Sequence, residues 1–322
     1  MTKAELTVEG KENVLMRTRS CSITVLPHFG GKIASLQFRG HELLQAPLAP
    51  IAPRTPSMSF DAADASGWDE CLPSVAPCTV ETSAGAARIP DHGDLWRVAW
   101  EPVGQNAPSG ASITLRGRCF SLPLALERTI TLNESEDGAH IRVDYTLRNT
   151  GDHSVPWSWA AHPLFAIEAA DQILLPASIT TTRLEGSGRN RLGTGGNTVN
   201  WPVAILADGG HANLSIAQPA DTGIGDKLFA GPLATHENWC ILLRPKAGLR
   251  IKMSFDTQAT PYLGLWLCYG GWPNGTGPKQ MCVAPEPSTA PVDSLAVAGN
   301  WSRRLAPGAS FSWPMFLDLG MI

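Results

Sequence analysis

No Cys-x-x-Cys pair occurs anywhere in the 322 residues. The seven cysteines, Cys21, Cys71, Cys78, Cys119, Cys240, Cys268 and Cys282, are odd in number and scattered. This argues against a zinc ribbon or a thioredoxin-like motif, and free thiols in a reducing compartment fit best. No run is long and apolar enough to span a bilayer. The opening residues, Met1-Thr2-Lys3-Ala4-Glu5-Leu6-Thr7, lack the apolar core of a signal peptide. The expectation is a cytoplasmic protein with no membrane partner, in which Asn-x-Ser/Thr sites such as Asn133-Glu134-Ser135 carry no meaning. Basic runs are missing as well, and the formal net charge is −4, so a nucleic-acid partner is not expected. Tyrosine is scarce, three against eleven Trp. Trp faces stack on sugars, but buried Trp is the commoner use.

A 3.6-residue period is also lacking: no stretch sustains four helical turns, and Pro291–Arg304 alone suggests a short helix. What recurs instead is period-two alternation. Ile141, Val143, Tyr145 and Leu147 alternate with Arg142, Asp144, Thr146 and Arg148. Leu249, Ile251, Met253 and Phe255 alternate with Arg250, Lys252 and Ser254. Similar runs lie at Ser22–Leu26, Lys32–Phe38, Ser112–Arg118, Leu124–Leu132 and Ser310–Leu319, separated by turn clusters such as Asn149-Thr150-Gly151-Asp152. With 31 Gly and 26 Pro, the chain reads as all-β: a large antiparallel β-sandwich with one dry and one wetter face per sheet. Residues 1–322 are expected to form one domain. Ala46–Ser66 and Glu185–Asn200 read as long loops. The second is glycine-rich but lacks the Gly-Lys-Ser/Thr of a phosphate loop.

Three short segments carry chemistry. In Ala284-Pro285-Glu286-Pro287-Ser288 a glutamate stands between prolines, which suits a strand end or rigid loop and pre-positions a general acid or base. Ala161-His162-Pro163-Leu164-Phe165 ends an aromatic-rich strand at a histidine, a group that titrates near neutrality. Asp91-His92-Gly93 places a histidine beside a residue that permits a sharp turn. Read without context, these are also a surface glutamate, a hydrogen-bonded core histidine and a polar turn. In this order, His-Gly, His-Pro-x-Phe and Glu-Pro resemble the aldose 1-epimerase (galactose mutarotase-like) family. The Val25–Leu36 segment, with its Gly30-Gly31 turn, resembles the family's opening strands. Matching features run from about residue 20 to the C-terminus.

The resemblance implies a galactose mutarotase-like sandwich that interconverts the α and β anomers of an aldose. Glu286 would take the anomeric hydroxyl proton while His162 protonates the ring oxygen, the two facing each other across a gap one pyranose wide. No redox or group-transfer cofactor is needed, and no metal is assigned. His92 and Asp226 would hold the sugar and Trp266 would stack on it; Arg97 would bind hydroxyls or form a surface pair. Two departures stand out. Lys227 follows Asp226 where the family usually has histidine. Gly67-Trp68-Asp69-Glu70-Cys71-Leu72-Pro73 replaces an Asn-Arg pair, so that Asp69 and Glu70 line the pocket or merely cap a loop. The alternatives are a binding or regulatory module that keeps the cleft without turnover, and a sugar-phosphate mutarotase drawing cations from Arg183, Arg189 and Arg191.

Overall fold

A computed structural model of the chain describes residues 5–9, 13–104 and 111–322. Residues 1–4, the start of the segment weighed as a leader, lie outside them. Strands form where alternation predicts them. The runs at 22–26, 141–148 and 310–319 widen to Cys21–Leu26, Gly138–Asn149 and Ser310–Met321, while Lys32–Phe38 and Leu249–Phe255 match residue for residue.

The strands pair antiparallel into two large sheets. One has eight strands and is centred on Leu124–Glu134, Gly138–Asn149 and Ser310–Met321. The other has thirteen, and its middle runs in the order Lys32–Phe38, Trp68–Cys71, Ala160–Pro163, Met281–Ser288, Tyr262–Tyr269, Ile224–Ala230 and Thr181–Ser187. Their facing sides close one core drawn from residues between Val14 and Leu319, including Ile141, Val143, Tyr145 and Leu147 from one sheet and Leu228, Leu265, Leu267 and Val283 from the other. Each such aliphatic side chain taken out of water contributes about 1.5–3 kcal/mol. This is a large antiparallel β-sandwich.

One expectation changes. Residues 291–304 hold no α-helix but two three-residue 3₁₀ turns, Leu295–Val297 and Gly299–Trp301, before the short strand Arg303–Leu305. Buried Val292, Leu295 and Ala298 recur every three residues, the period of a 3₁₀ turn rather than of an α-helix, and Gly299 at φ 50° follows them. Trp follows its commoner use as core filling: Trp68, Trp96, Trp100, Trp157 and Trp159 are fully buried. Among the described residues no helix is long and apolar enough to cross a membrane.

Candidate active site

Period two decides which side chains reach the outer face of the thirteen-stranded sheet, the face turned away from its partner. Along Met281–Ser288, Val283 points into the core, while Cys282, Ala284 and Glu286 point outward. On the neighbouring strands Trp266 lies opposite Ala284 and Lys227 opposite Trp266, so all three share that face. Glu286 is therefore a residue of a central strand rather than of a strand end. The prolines are tolerated because the strand's other edge is paired only at Cys282, Val283 and Ser288, leaving 284–287 without a ladder partner on that side.

This face carries a cavity of about 190 Å³. Glu286, His162 and Lys227 form its floor. Trp266, Trp272 and Phe60 give apolar walls, and His92, Asp91, Gln280 and Asp293 give polar ones. His162 Nε2 stands 3.7 Å from Glu286 Oε1, both side chains being buried. The expected pyranose-wide gap is thus replaced by a side-by-side arrangement. The reason is register: Ala160 pairs with Ser288, so His162 and Glu286, each two residues along its antiparallel strand, stand side by side on one face. Among the described residues neither Glu286 Oε1 nor His162 Nδ1 has a hydrogen-bond partner. An unpaired buried polar atom is costly and calls for an explanation, a catalytic or ligand-binding role among them.

The electrostatics diverge across this short distance. Burial, reinforced by His92, Lys227 and Lys32, holds His162 well below its ordinary range. Burial raises Glu286, against the pull of Lys227. Lys227 donates to Glu286 Oε2 and lies 3.6 Å from Asp293 Oδ1. Burial alone would lower it, but the two carboxylates outweigh burial and raise it, so the ammonium keeps its charge.

His92 is set by its loop. It adopts φ 56° and is followed by Gly93 at φ 68°, where a Cβ would lie 2.2 Å from the Leu72 carbonyl oxygen, so only glycine fits. The ring pairs with Asp91 (Nδ1 to Oδ2, 2.8 Å) and stacks on Phe60 with centroids 3.7 Å apart. Its centroid is 5.1 Å from that of His162. Phe60 comes from the long 46–66 loop. Trp266 donates Nε1–H to Gln280 Oε1 at 3.0 Å, which fixes its ring against the cavity.

Four expected ligands of the sugar lie elsewhere. Asp226 alternates with Lys227 and so points away from the cavity, where it accepts from Ser187 Oγ (2.6 Å) and Arg191 (2.5 Å). Arg97 stacks on Trp96 and donates to the carbonyls of Met58, Asp91 and Gly93, clamping the His92 turn. Asp69 accepts from Lys32 at 2.5 Å in a buried cluster with Asp64 and Arg54, beneath the cavity. Glu70 faces the other way, between the sheets, and accepts from Arg128, Tyr145 and Trp159. Asp69 and Glu70 therefore cannot share a metal, and among the described residues no group of three His, Cys, Asp or Glu could hold one. The glycine-rich segment contributes no cation to the lining: Arg191 is taken by Asp226.

The cavity residues that motif reading missed are Lys227, Asp293, Phe60, Trp272, Gln280 and Asp91. For Lys227 the available signal was its alternation with Asp226, and for Asp293 its place just beyond the Glu-Pro segment. Phe60 and Trp272 sit in loops, where no period exists to read.

No protein-family model matches the chain, and no curated protein matches it by sequence. Solved structures do match. A Synechocystis protein superposes with a TM-score of 0.69 at 17% identity, covering 100% of this chain and 97% of its own. A galactose mutarotase-like protein from Lactobacillus casei gives 0.66 at 15%, covering 95% and 99%. An aldose epimerase homologue from C. elegans gives 0.62 at 13%, covering 99% of each chain. At these identities the likeness establishes the fold, which is the galactose mutarotase-like one.

Proposed function

We propose that this chain is an aldose 1-epimerase, exchanging the α and β anomers of a neutral sugar by acid–base ring opening. The observation that carries the reading is the pairing of Glu286 Oε1 with His162 Nε2 at 3.7 Å on the floor of an aromatic-walled cavity, on this fold. Glu286 removes the anomeric hydroxyl proton and the ring oxygen receives a proton from a neighbouring donor, for which the family resemblance names His162. The ring opens to the aldehyde, the C1–C2 bond rotates, and closure reverses the transfers. Trp266 offers a face for stacking, and His92 and Gln280 offer hydrogen bonds to hydroxyls.

The charge balance supports a neutral sugar over a sugar phosphate. Among the described residues Lys227 is the one lysine or arginine in the lining, and it is already matched by Glu286 and Asp293. A phosphate needs several free donors.

One observation favours a binding module without turnover: the ammonium of Lys227 sits on the proposed base and makes it a weaker one. Line-broadening NMR against a panel of neutral aldoses and their 6-phosphates separates these readings. Accelerated anomer exchange on a neutral aldose supports the epimerase, binding without exchange supports the module, and preference for the phosphates overturns the charge argument.

A further inference from the structure

We propose that Lys227, rather than His162, delivers the proton to the ring oxygen, its ammonium and the Glu286 carboxylate acting as one donor–acceptor pair. The inference rests on the epimerase reading above and names a further catalytic residue for it.

The two oxygens of Glu286 face different neighbours. Oε2 holds Lys227 Nζ, while Oε1 has no hydrogen-bond partner among the described residues and looks toward His162. A cyclic hemiacetal presents two oxygens on one carbon, the anomeric hydroxyl and the ring oxygen. With the hydroxyl proton on Oε1, a donor is needed at the adjacent ring oxygen, and Lys227 Nζ is bound to the same carboxylate. Its strand partner Trp266 lies beside it on the same face, so a sugar stacked on that ring passes over the ammonium.

The charges around each candidate donor decide between them. Lys227 faces Glu286 and Asp293, with Cys71 and Glu185 also nearby, and this acidic setting keeps a proton on the amine. Burial makes His162 costly to charge, and His92, Lys227 and Lys32 add to that cost; among the described residues Glu286 is the carboxylate within 4 Å, and Asp69, opposite His162 in register, is matched by Lys32. A neutral imidazole is a good hydrogen-bond partner for a sugar hydroxyl but a poor acid. The alkoxide formed as the ring opens is strongly basic, so even a weakly acidic ammonium can protonate it.

The step balances without a co-reactant. Glu286 takes the proton of O1, the O1–H pair becomes the second C1–O bond, and the C1–O5 bond breaks with its pair on O5. O5 then takes a proton from Lys227. This leaves a free aldehyde, a neutral amine and a protonated carboxyl. Closure on the other face of the aldehyde runs each transfer backwards and restores the ion pair.

The test measures anomer exchange by polarimetry and exchange NMR for the wild type and for Lys227→Met, Lys227→Arg and His162→Gln. Rates are followed from about pH 4.5 to about pH 9, the span from ordinary carboxylate values to just below ordinary lysine values. The wild-type rate is expected to rise as Glu286 ionises and then hold level to the alkaline end, because Lys227 stays charged. With His162 as donor it would instead fall as pH rises toward neutrality, since the buried imidazole loses its proton below its ordinary range. Lys227→Met is expected to lose at least about a hundredfold in kcat, the lower end for general acid catalysis, with KM changed much less. Removing the ammonium also raises Glu286 further, an effect that higher pH reverses; a loss that persists at the alkaline end is loss of the donor. Lys227→Arg is expected to recover binding but little of kcat, and His162→Gln to lose less than Lys227→Met. Lys227→Met within about tenfold of wild type, or a wild-type rate that falls through neutrality, overturns the proposal and returns the donor role to His162. If Lys227→Met does not fold, the wild-type pH profile decides alone. A wild type that accelerates exchange of no aldose overturns the epimerase reading, and this inference with it.

Discussion

Gly93 shows how narrowly single residues hold this site. Its φ of 68° and the 2.2 Å approach of a Cβ to the Leu72 carbonyl leave no room for a side chain, and the turn it makes presents His92. Gly93→Ala should therefore cost more than about 1 kcal/mol, the range for an L-residue forced to positive φ, and should weaken sugar binding as His92 moves. Thermal unfolding and a titration followed by Trp266 and Trp272 fluorescence would read both, and an unchanged melting point would remove the steric argument. Glu286→Gln keeps the shape of the side chain but cannot accept the anomeric proton. It should slow exchange at least about a hundredfold while binding changes far less. Full activity in that variant, measured by polarimetry, would refute its role as base. Glu286, His162 and His92 were readable because each stands in a short motif with a chemical reason for it. Phe60 and Trp272 were not, because a loop residue reaches a cavity through tertiary folding that no local pattern encodes.

Along an element, the informative quantity is the phase of the alternation. Period two in Ile224–Ala230 says that Asp226 and Lys227 point to opposite faces, but not which face holds the cavity. Register against Tyr262–Tyr269 supplies that, placing Lys227 opposite Trp266 and Asp226 opposite Leu267. Lys227 therefore lines the cavity and Asp226, the expected ligand, does not. The environment of Asp226 confirms a structural use: burial raises its pKa, while the Ser187 hydroxyl and Arg191 oppose that rise and satisfy the carboxylate. Asp226→Asn keeps one acceptor but removes the charge facing Arg191. It should lower stability by on the order of 1–3 kcal/mol, the cost of disabling one partner of a buried hydrogen bond. Sugar affinity should stay within about threefold of wild type, less than one buried hydrogen bond is worth. A large loss of affinity with unchanged stability would place Asp226 back among the sugar ligands. Strand positions themselves were readable because hydrophobic alternation is local; face and partner are set by pairing between distant segments.

At the scale of the whole molecule, Glu70 joins the two sheets. It belongs to Trp68–Cys71 in the thirteen-stranded sheet. Its carboxylate accepts from Arg128 Nη1 at 3.0 Å and Tyr145 Oη at 2.9 Å, both on the eight-stranded sheet, and from Trp159 Nε1 at 3.0 Å. Burial pushes the carboxyl up to about 7 against the pull of Arg128, so the ion pair is held at a desolvation cost. Sequence suggested this acidic pair as a pocket wall, since Gly-Trp-Asp-Glu reads as two carboxylates together. Period two instead sends Asp69 toward the cavity side and Glu70 into the core. Glu70→Gln leaves the Arg128 guanidinium buried without a counter-charge, and should destabilise the fold by about 3–5 kcal/mol, the usual cost of breaking a buried pair. Removing both partners avoids that unpaired charge, so Glu70→Leu/Arg128→Met should be no less stable than Glu70→Gln alone, although Tyr145 and Trp159 each lose an acceptor. Urea unfolding of Glu70→Leu, Arg128→Met and the double variant measures this coupling, and additive losses would show that the two residues do not act as a pair. Anomer exchange by the folded fraction of Glu70→Gln should remain near wild type, because the carboxylate's partners Arg128, Tyr145 and Trp159 lie outside the cavity lining. A selective loss of activity in a stably folded Glu70→Gln would show instead that the alignment of the two sheets sets the geometry of the site.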